Sequence, residues 1–257
     1  MVSIPFSIYQ VLIMTYSYTL NLSGIPLRCG FRFPETYATF GDYCTGESSA
    51  PGEISVYPAE WDFWPKTGKP TDAAAENSMM TSPCSDALLD HDRCIIHAVA
   101  FSFHGRAWLI AAPPGVGKST QIKTLQELYP GEFSVICGDR PILQRMEDGT
   151  FLVHPSPWNG KENWYGAPAA PLAGILYLKR GEYTSLCVLS AKEAILPIYR
   201  SLICSHETEQ LIRQVAAFEN DLLASIPVYE YINGGVPDSS RYLYETLLSK
   251  EASGNEI

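Results

Sequence analysis

The chain has 257 residues, 46% of them hydrophobic and 18% charged, which suits a folded globular protein and excludes a disordered one. Its formal net charge is −10, from 18 Lys and Arg against 28 Asp and Glu, and no basic block stands ready to meet a phosphodiester backbone. Nucleic acid is therefore not the expected partner. The seven cysteines are odd in number and none forms a Cys-x-x-Cys pair, so they read as separate reduced thiols rather than zinc ligands.

The first twenty residues are apolar and uncharged. They lack the basic start and small-residue cleavage site of a signal peptide, and Pro5, Gln10 and a run of Tyr, Ser and Thr interrupt a membrane span. A cytoplasmic protein with no membrane partner is expected. Alternation at Tyr16, Tyr18, Leu20 and Leu22 predicts a strand, and EISVYP and EWDFW predict two more. Residues 66–88, polar with Pro and Gly, read as a loop or linker. The expected division is a small β-rich region with its linker (1–88), a main domain (89–250) and a tail (251–257).

The main domain opens with CIIHAVAFSF, which turns at His104-Gly105 into RAWLIAA, a hairpin whose second strand runs into a glycine-rich loop. KSTQIKTLQELY follows with Ile122, Leu125 and Leu128 at helical spacing, and Pro130-Gly131 ends it. FSVIC predicts a strand that stops at Gly138-Asp139. PILQRM and TFLVHP flank Glu147-Asp148-Gly149 as a second hairpin. GILYLKR is a strand with its turn at Arg180-Gly181-Glu182, and TSLCVL comes next. AKEAILPIYRSLI and ETEQLIRQVAAFENDLLASI are helical in pattern, followed by a strand, VYEYI, and a last helix, SSRYLYETLLSK.

Ala112-Pro113-Pro114-Gly115-Val116-Gly117-Lys118-Ser119 has the form of a Walker A loop, with Ala in place of the first Gly. The glycines let successive backbone N–H groups converge on phosphate oxygens, and the helix beginning near Lys118 aims its positive dipole end at the same anion. Pro114, Gly115, Val116, Gly117, Lys118, Ser119 and Thr120 are the expected contacts to ATP or GTP. Lys118 can reach the β- and γ-phosphates, and the Ser119 hydroxyl can ligate Mg²⁺. Asp139 follows Lys118 by 21 positions (139 − 118), room for one helix and one returning strand. At the sheet edge beside the loop its carboxylate can bind Mg²⁺ or take a proton from an attacking hydroxyl. His97 stands on the strand before the loop strand, where an isolated histidine reads first as a core residue.

Ile96-His97-Ala98, the loop itself, Cys137-Gly138-Asp139-Arg140 and Pro157-Trp158-Asn159-Gly160-Lys161-Glu162 occur in an order that resembles the HPr kinase/phosphorylase-like proteins. Their nucleotide-binding domain is similar to that of phosphoenolpyruvate carboxykinase. The resemblance covers roughly residues 92 to 250. It implies an α/β fold with a mixed sheet and transfer of the γ-phosphoryl group to a serine hydroxyl on a peptide or protein. Asp139 is then the carboxylate that activates the hydroxyl, and His97 lies beside the phosphates. Arg140, Lys161 and Glu162 face the substrate. The resemblance also implies a homo-oligomer, and the short length is similar to that of kinases that act on ribosomal precursor peptides, including lasso peptides. This chain departs from the family in having Gly138 where a second, adjacent aspartate often stands. Three other readings stay open at this point: a kinase for a small hydroxylated metabolite, an ATPase switch, and a binding protein that holds nucleotide without chemistry.

Overall fold

A computed structural model describes residues 16–44, 54–56, 73–164 and 166–252. The strand expected at 60–64, the apolar start before residue 16 and the last five residues lie outside the described residues. The first layer begins with β1 (Tyr16–Leu22) and β2 (Ile25–Phe31), paired antiparallel from Tyr16↔Phe31 to Leu22↔Ile25. A short helix α1 (Thr36–Phe40) follows, and β3 (Ile54–Val56) pairs parallel with β2.

The stretch read as loop or linker up to residue 88 folds, from residue 73 onward, as α2 (Ala73–Met79) and α3 (Thr81–Leu89). Two features hid these helices. Their composition is polar and holds Pro83, which helix α3 tolerates because the first-turn N–H groups have no intrahelical acceptor. The apolar face toward the first layer is carried by Met80, Cys84 and Leu88, four residues apart and fully buried. Those three pack with Leu20, Leu22, Leu27, Cys29 and Phe31 of the first layer and with Ile95, Ile142 and Trp158 beyond it. Glu76, also fully buried, accepts hydrogen bonds from Arg32 N at 2.7 Å, Phe33 N at 3.2 Å and Thr36 Oγ1 at 2.7 Å. A buried carboxylate is tolerable only with such a set of donors. It ties α2 to the end of β2.

The rest is built on a mixed, nine-stranded sheet, which bears out the α/β fold class. CIIHAVAFSF splits into β4 (Arg93–Ile95) and β5 (Ala98–Phe103), with Ile96 and His97 at the step between them. β6 (Arg106–Ala111) returns antiparallel to β5 as the expected hairpin, and the glycine-rich loop leads into α4 (Lys118–Leu128). β7 (Phe133–Cys137) pairs with the other edge of β5, and β8 (Ile142–Arg145) and β9 (Phe151–His154) form the second expected hairpin. β10 (Ala170–Arg180) runs parallel to β6. β11 (Ser185–Val188) follows, then α5 (Ala191–Tyr199), α6 (Glu209–Ser225), β12 (Val228–Asn233) and α7 (Asp238–Ala252). α7 continues two residues into the stretch read as tail. β11 does not fold back on β10. β12 lies between them, parallel to β10 and antiparallel to β11.

The central strands are mostly apolar because both faces are covered. On one face Leu109 and Ile175 pack under Ala194 and Ile198 of α5 and Val215, Phe218 and Leu222 of α6. On the other, Trp108, Ile110 and Leu176 meet Ile122 and Leu125 of α4 and Leu243 and Leu247 of α7. β6, β10 and β12 all run in one direction, so their C-terminal ends lie along one rim. In open α/β sheets that rim is where ligands bind. Among the described residues no helix is long and apolar enough to cross a membrane.

Candidate active site

β5 organises the site because it pairs on both sides. Its first residue, Ala98, sits opposite Ala111, the last residue of β6, while Ala100 sits opposite Cys137, the last residue of β7. The glycine-rich loop thus leaves β6 beside the start of β5, and the Gly138-Asp139 corner leaves β7 at the same level. Ala98 N donates to Asp139 O at 2.9 Å, and His97, one residue earlier, has its own N–H on Ser201 O at 2.7 Å. Lys118, His97 and Asp139, far apart in the chain, are brought together by this pairing.

The loop has the backbone that its sequence demands. Gly115 has φ 79° and Gly117 φ 119°, a region L side chains rarely adopt. Gly117 is also the N-cap of α4, so no side chain caps the helix, and its first turn holds no carboxylate. The first-turn N–H groups therefore keep their affinity for an anion. Val116 packs its side chain against the α4–α7 core, while Pro114, Gly115 and Thr120 are exposed and Ser119 is half-buried at the helix start.

Lys118 Nζ donates to Ala112 O at 3.0 Å and lies 3.4 Å from His97 Nε2. His97 Nε2 is in turn 3.3 Å from Asp139 Oδ1. One ring nitrogen cannot donate to the carboxylate and accept from the ammonium at once. With the proton on Nε2, His97 donates to Asp139, and the ammonium rests on the Ala112 carbonyl. Burial lowers the pKa of Lys118, and the charge of Asp139 partly offsets this. Burial alone pushes Asp139 upward. The hydrogen bond from His97 and the charges of Arg140, His97 and Lys118 outweigh it and hold the carboxyl below its ordinary range. Asp139 is an ionised acceptor at neutral pH.

Arg140 places Nε 3.3 Å from Asp139 Oδ2, and its Nη1 donates to Thr81 Oγ1 at 2.5 Å and to Ser78 O at 3.4 Å. This expected substrate residue is thus engaged between Asp139 and the α2–α3 helices. The Pro157–Glu162 segment forms the floor of the same corner. Trp158 is buried, with Nε1 donating to Asn77 O at 3.0 Å and its ring edge-on to Phe40 at 5.9 Å. Trp158 O accepts from Arg140 N at 3.1 Å. A Cβ at Gly138 would lie 2.3 Å from the backbone oxygen of Asn159, so no side chain fits there. Lys161 is exposed, and Glu162 lies 4.0 Å from Lys123 Nζ, which sits 5.4 Å from the centre of the Trp164 ring.

For Mg²⁺ the donors to hand are the Ser119 hydroxyl and the Asp139 carboxylate. One carboxylate, one hydroxyl and phosphate oxygens make a fitting set for a small cation that retains several waters. Among the described residues there is no group of three or more His, Cys, Asp or Glu that could hold a metal on protein ligands alone. Such a cation would share Asp139 with His97 and Arg140.

Two contributions escaped sequence reading. Ser78 and Thr81 hold Arg140, and they lay in the supposed linker. Arg180, read as the first residue of a turn, donates from Nε to Val116 O at 2.9 Å and from Nη2 to Gly115 O at 2.8 Å. Only the parallel pairing of β10 with β6 reveals that reach.

No family model and no curated protein matches this chain. Among solved structures, the Hpr(Ser) kinase/phosphatase from Coxiella burnetii is similar, with 13% identity and a TM-score of 0.37 over 62% of this chain and 97% of that one. So low a TM-score carries no weight for fold or activity.

Proposed function

We propose that this chain is a kinase that binds Mg-ATP, or Mg-GTP, on the 112–120 loop and transfers the γ-phosphoryl group to a serine hydroxyl of a peptide or protein. The observation that carries the proposal is the single row Lys118–His97–Asp139, in which one imidazole lies within 3.4 Å of the loop lysine and 3.3 Å of an ionised carboxylate. A lysine at the phosphates and a carboxylate one side chain away are what hydroxyl-to-phosphate transfer requires. Lys118 exchanges the Ala112 carbonyl for phosphate oxygens when nucleotide arrives. Asp139 accepts the proton of the serine hydroxyl as its oxygen attacks phosphorus and the bond to the leaving nucleoside diphosphate breaks. His97 steadies the carboxylate; Ser119 and Asp139 are the residues that would hold Mg²⁺, and the ion would supply charge neutralisation on the phosphates.

Lysate from the source organism, given Mg-ATP and either wild-type protein or Asp139→Asn, is the direct test by phosphoproteomics. New phosphoserine on a discrete peptide or protein, absent with the variant, is the expected result. Asp139→Asn retains nucleotide affinity, whereas Lys118→Ala lowers it by about 100-fold or more, the scale of removing a charge-assisted hydrogen bond from a desolvated site. Asp139→Asn that transfers phosphate at the wild-type rate sinks the mechanism. Binding without any new phosphoserine shifts the assignment to a metabolite kinase or a nucleotide-dependent regulator.

A further inference from the structure

We infer that Arg180 is a positioning residue that sets the phosphate-binding loop in its anion-ready form before any nucleotide arrives; this rests on the nucleotide reading of the same loop. Arg180 is the last residue of β10. In the parallel pairing of β10 with β6, Tyr177 stands level with Ala111, where β6 ends, so Arg180 lies three residues further along (180 − 177). Three residues of strand reach about 10 Å past that level, enough to overhang the loop. Its guanidinium forks onto two successive carbonyls, Gly115 O at 2.8 Å and Val116 O at 2.9 Å.

The consequence follows from the peptide unit itself. A trans peptide points its C=O and its N–H in opposite directions. The carbonyl of Gly115 shares a plane with the N–H of Val116, and that of Val116 shares one with the N–H of Gly117. Holding both carbonyls on one side turns both N–H groups to the other. Those two are among the donors that a Walker A loop presents to phosphate. A positive charge on the carbonyl side also polarises both units, which strengthens the N–H dipoles. Gly115 and Gly117 leave this stretch with conformational freedom that few other sequences have, and the two Arg180 bonds remove part of it. The anion thus sits across the loop from Arg180. The arginine acts through the backbone and touches no phosphate.

The geometry demands a fork. Lysine supplies charge but a single point donor, so it cannot hold two planar acceptors in fixed relation. The test measures binding of inorganic tripolyphosphate and of Mg-ATP by calorimetry to wild-type protein, Arg180→Ala and Arg180→Lys. Thermal melting of each is recorded alongside. Tripolyphosphate has no base or sugar, so it isolates the loop. The expected result for Arg180→Ala is an affinity about tenfold lower for both probes, with an unchanged melting temperature, the scale of two charge-assisted hydrogen bonds partly replaced by water. Arg180→Lys recovers little of the loss, and non-denaturing guanidinium added to Arg180→Ala recovers much of it. Arg180→Ala that binds tripolyphosphate as tightly as wild type overturns the inference. So does full recovery in Arg180→Lys, or a drop in melting temperature that accounts for the weaker binding without guanidinium rescue. Wild-type protein that binds neither probe overturns the nucleotide reading itself, a different outcome from a wild type that binds and a variant that matches it.

Discussion

The two oxygens of Asp139 look into different parts of the molecule. Oδ1 faces His97, and through it Lys118 and the glycine-rich loop, where the separations are 3.3 and 3.4 Å and no side chain is pinned on every side. Oδ2 faces Arg140, which is fastened to Ser78 and Thr81 between α2 and α3. One side has the groups that rearrange on the proposed reading, and the other is backed by a shared apolar core from Leu20 to Trp158. The contrast points to a division of labour in which the first layer anchors the carboxylate so that the loop side is free to move. A region that reads as an appendage in sequence thereby holds the partner of Asp139 in place.

The largest expected effect comes from disturbing the anchored side at its tightest point. Gly138→Ala places a Cβ 2.3 Å from Asn159 O, and the close atom is backbone, which cannot rotate away. The corner must shift, at a cost of about 3 kcal/mol by the scale of overpacked core sites. A clearly lower midpoint in chemical denaturation is the expected reading. Gly138→Asp does the same and supplies no working second carboxylate. If Gly138→Asp keeps wild-type stability, the steric account of this corner is wrong.

A smaller effect separates the two sides of Asp139 functionally. Arg140→Gln leaves nucleotide affinity unchanged and lowers phosphoryl transfer by about tenfold, because the carboxylate loses its anchor and misplacement is costly in a transfer geometry. The sign of the pH effect follows from the depressed carboxyl. Asp139 is held below its ordinary range, so wild-type transfer keeps an ionised base until the pH falls beneath the usual carboxylate region, and the stability from its pairing is lost over that same low window. Removing Arg140 takes away one of the charges that lower it, and the acid limb of the rate profile moves up. Thr81→Val gives the same change in weaker form, and the double variant adds little beyond Arg140→Gln if both act through one contact. Strict additivity in that cycle breaks the proposed anchor.

The sequence made the loop, its helix and the approach of Asp139 legible because each rests on local rules. Glycines at positive φ, an apolar strand before the loop and helical spacing after it all lie within about thirty residues. What stayed hidden depends on pairing between distant segments. β12 inserts beside β10 although β11 is nearer in the chain, and no local pattern announces that order. Arg180 reads as a turn residue until the register with β6 brings it over Gly115. Helices α2 and α3 were masked by the polar residues and Pro83 around the short series Met80, Cys84 and Leu88, which marks their face toward the first layer. His97 is the intermediate case. Its residue type was informative, but a core histidine and one facing Lys118 differ only by the strand break at Ile96 and His97, which the continuous apolar run conceals.

The smallest effect concerns the open rim, where neither side of Asp139 has a hold. Lys161 is exposed, and Glu162 meets Lys123 at only 4.0 Å, with the lysine more than half exposed. A pair this long, with its lysine mostly in water, contributes well under about 1 kcal/mol, so Lys161→Ala and Glu162→Ala leave the melting temperature and the ATP affinity within error of wild type. Any functional effect must then come from contact with the acceptor. The expected outcome is a KM for the acceptor peptide raised about threefold to tenfold, with kcat preserved, as when binding common to ground and transition states is removed. Loss of kcat at constant KM would instead place these side chains with the reacting groups, and the rim would belong with the anchored corner. No change in either constant would move acceptor recognition away from the 157–162 segment altogether. Each result redraws the comparison at a different boundary, because the segment runs from the buried Trp158 of the anchor to the exposed Lys161 and the partly buried Glu162.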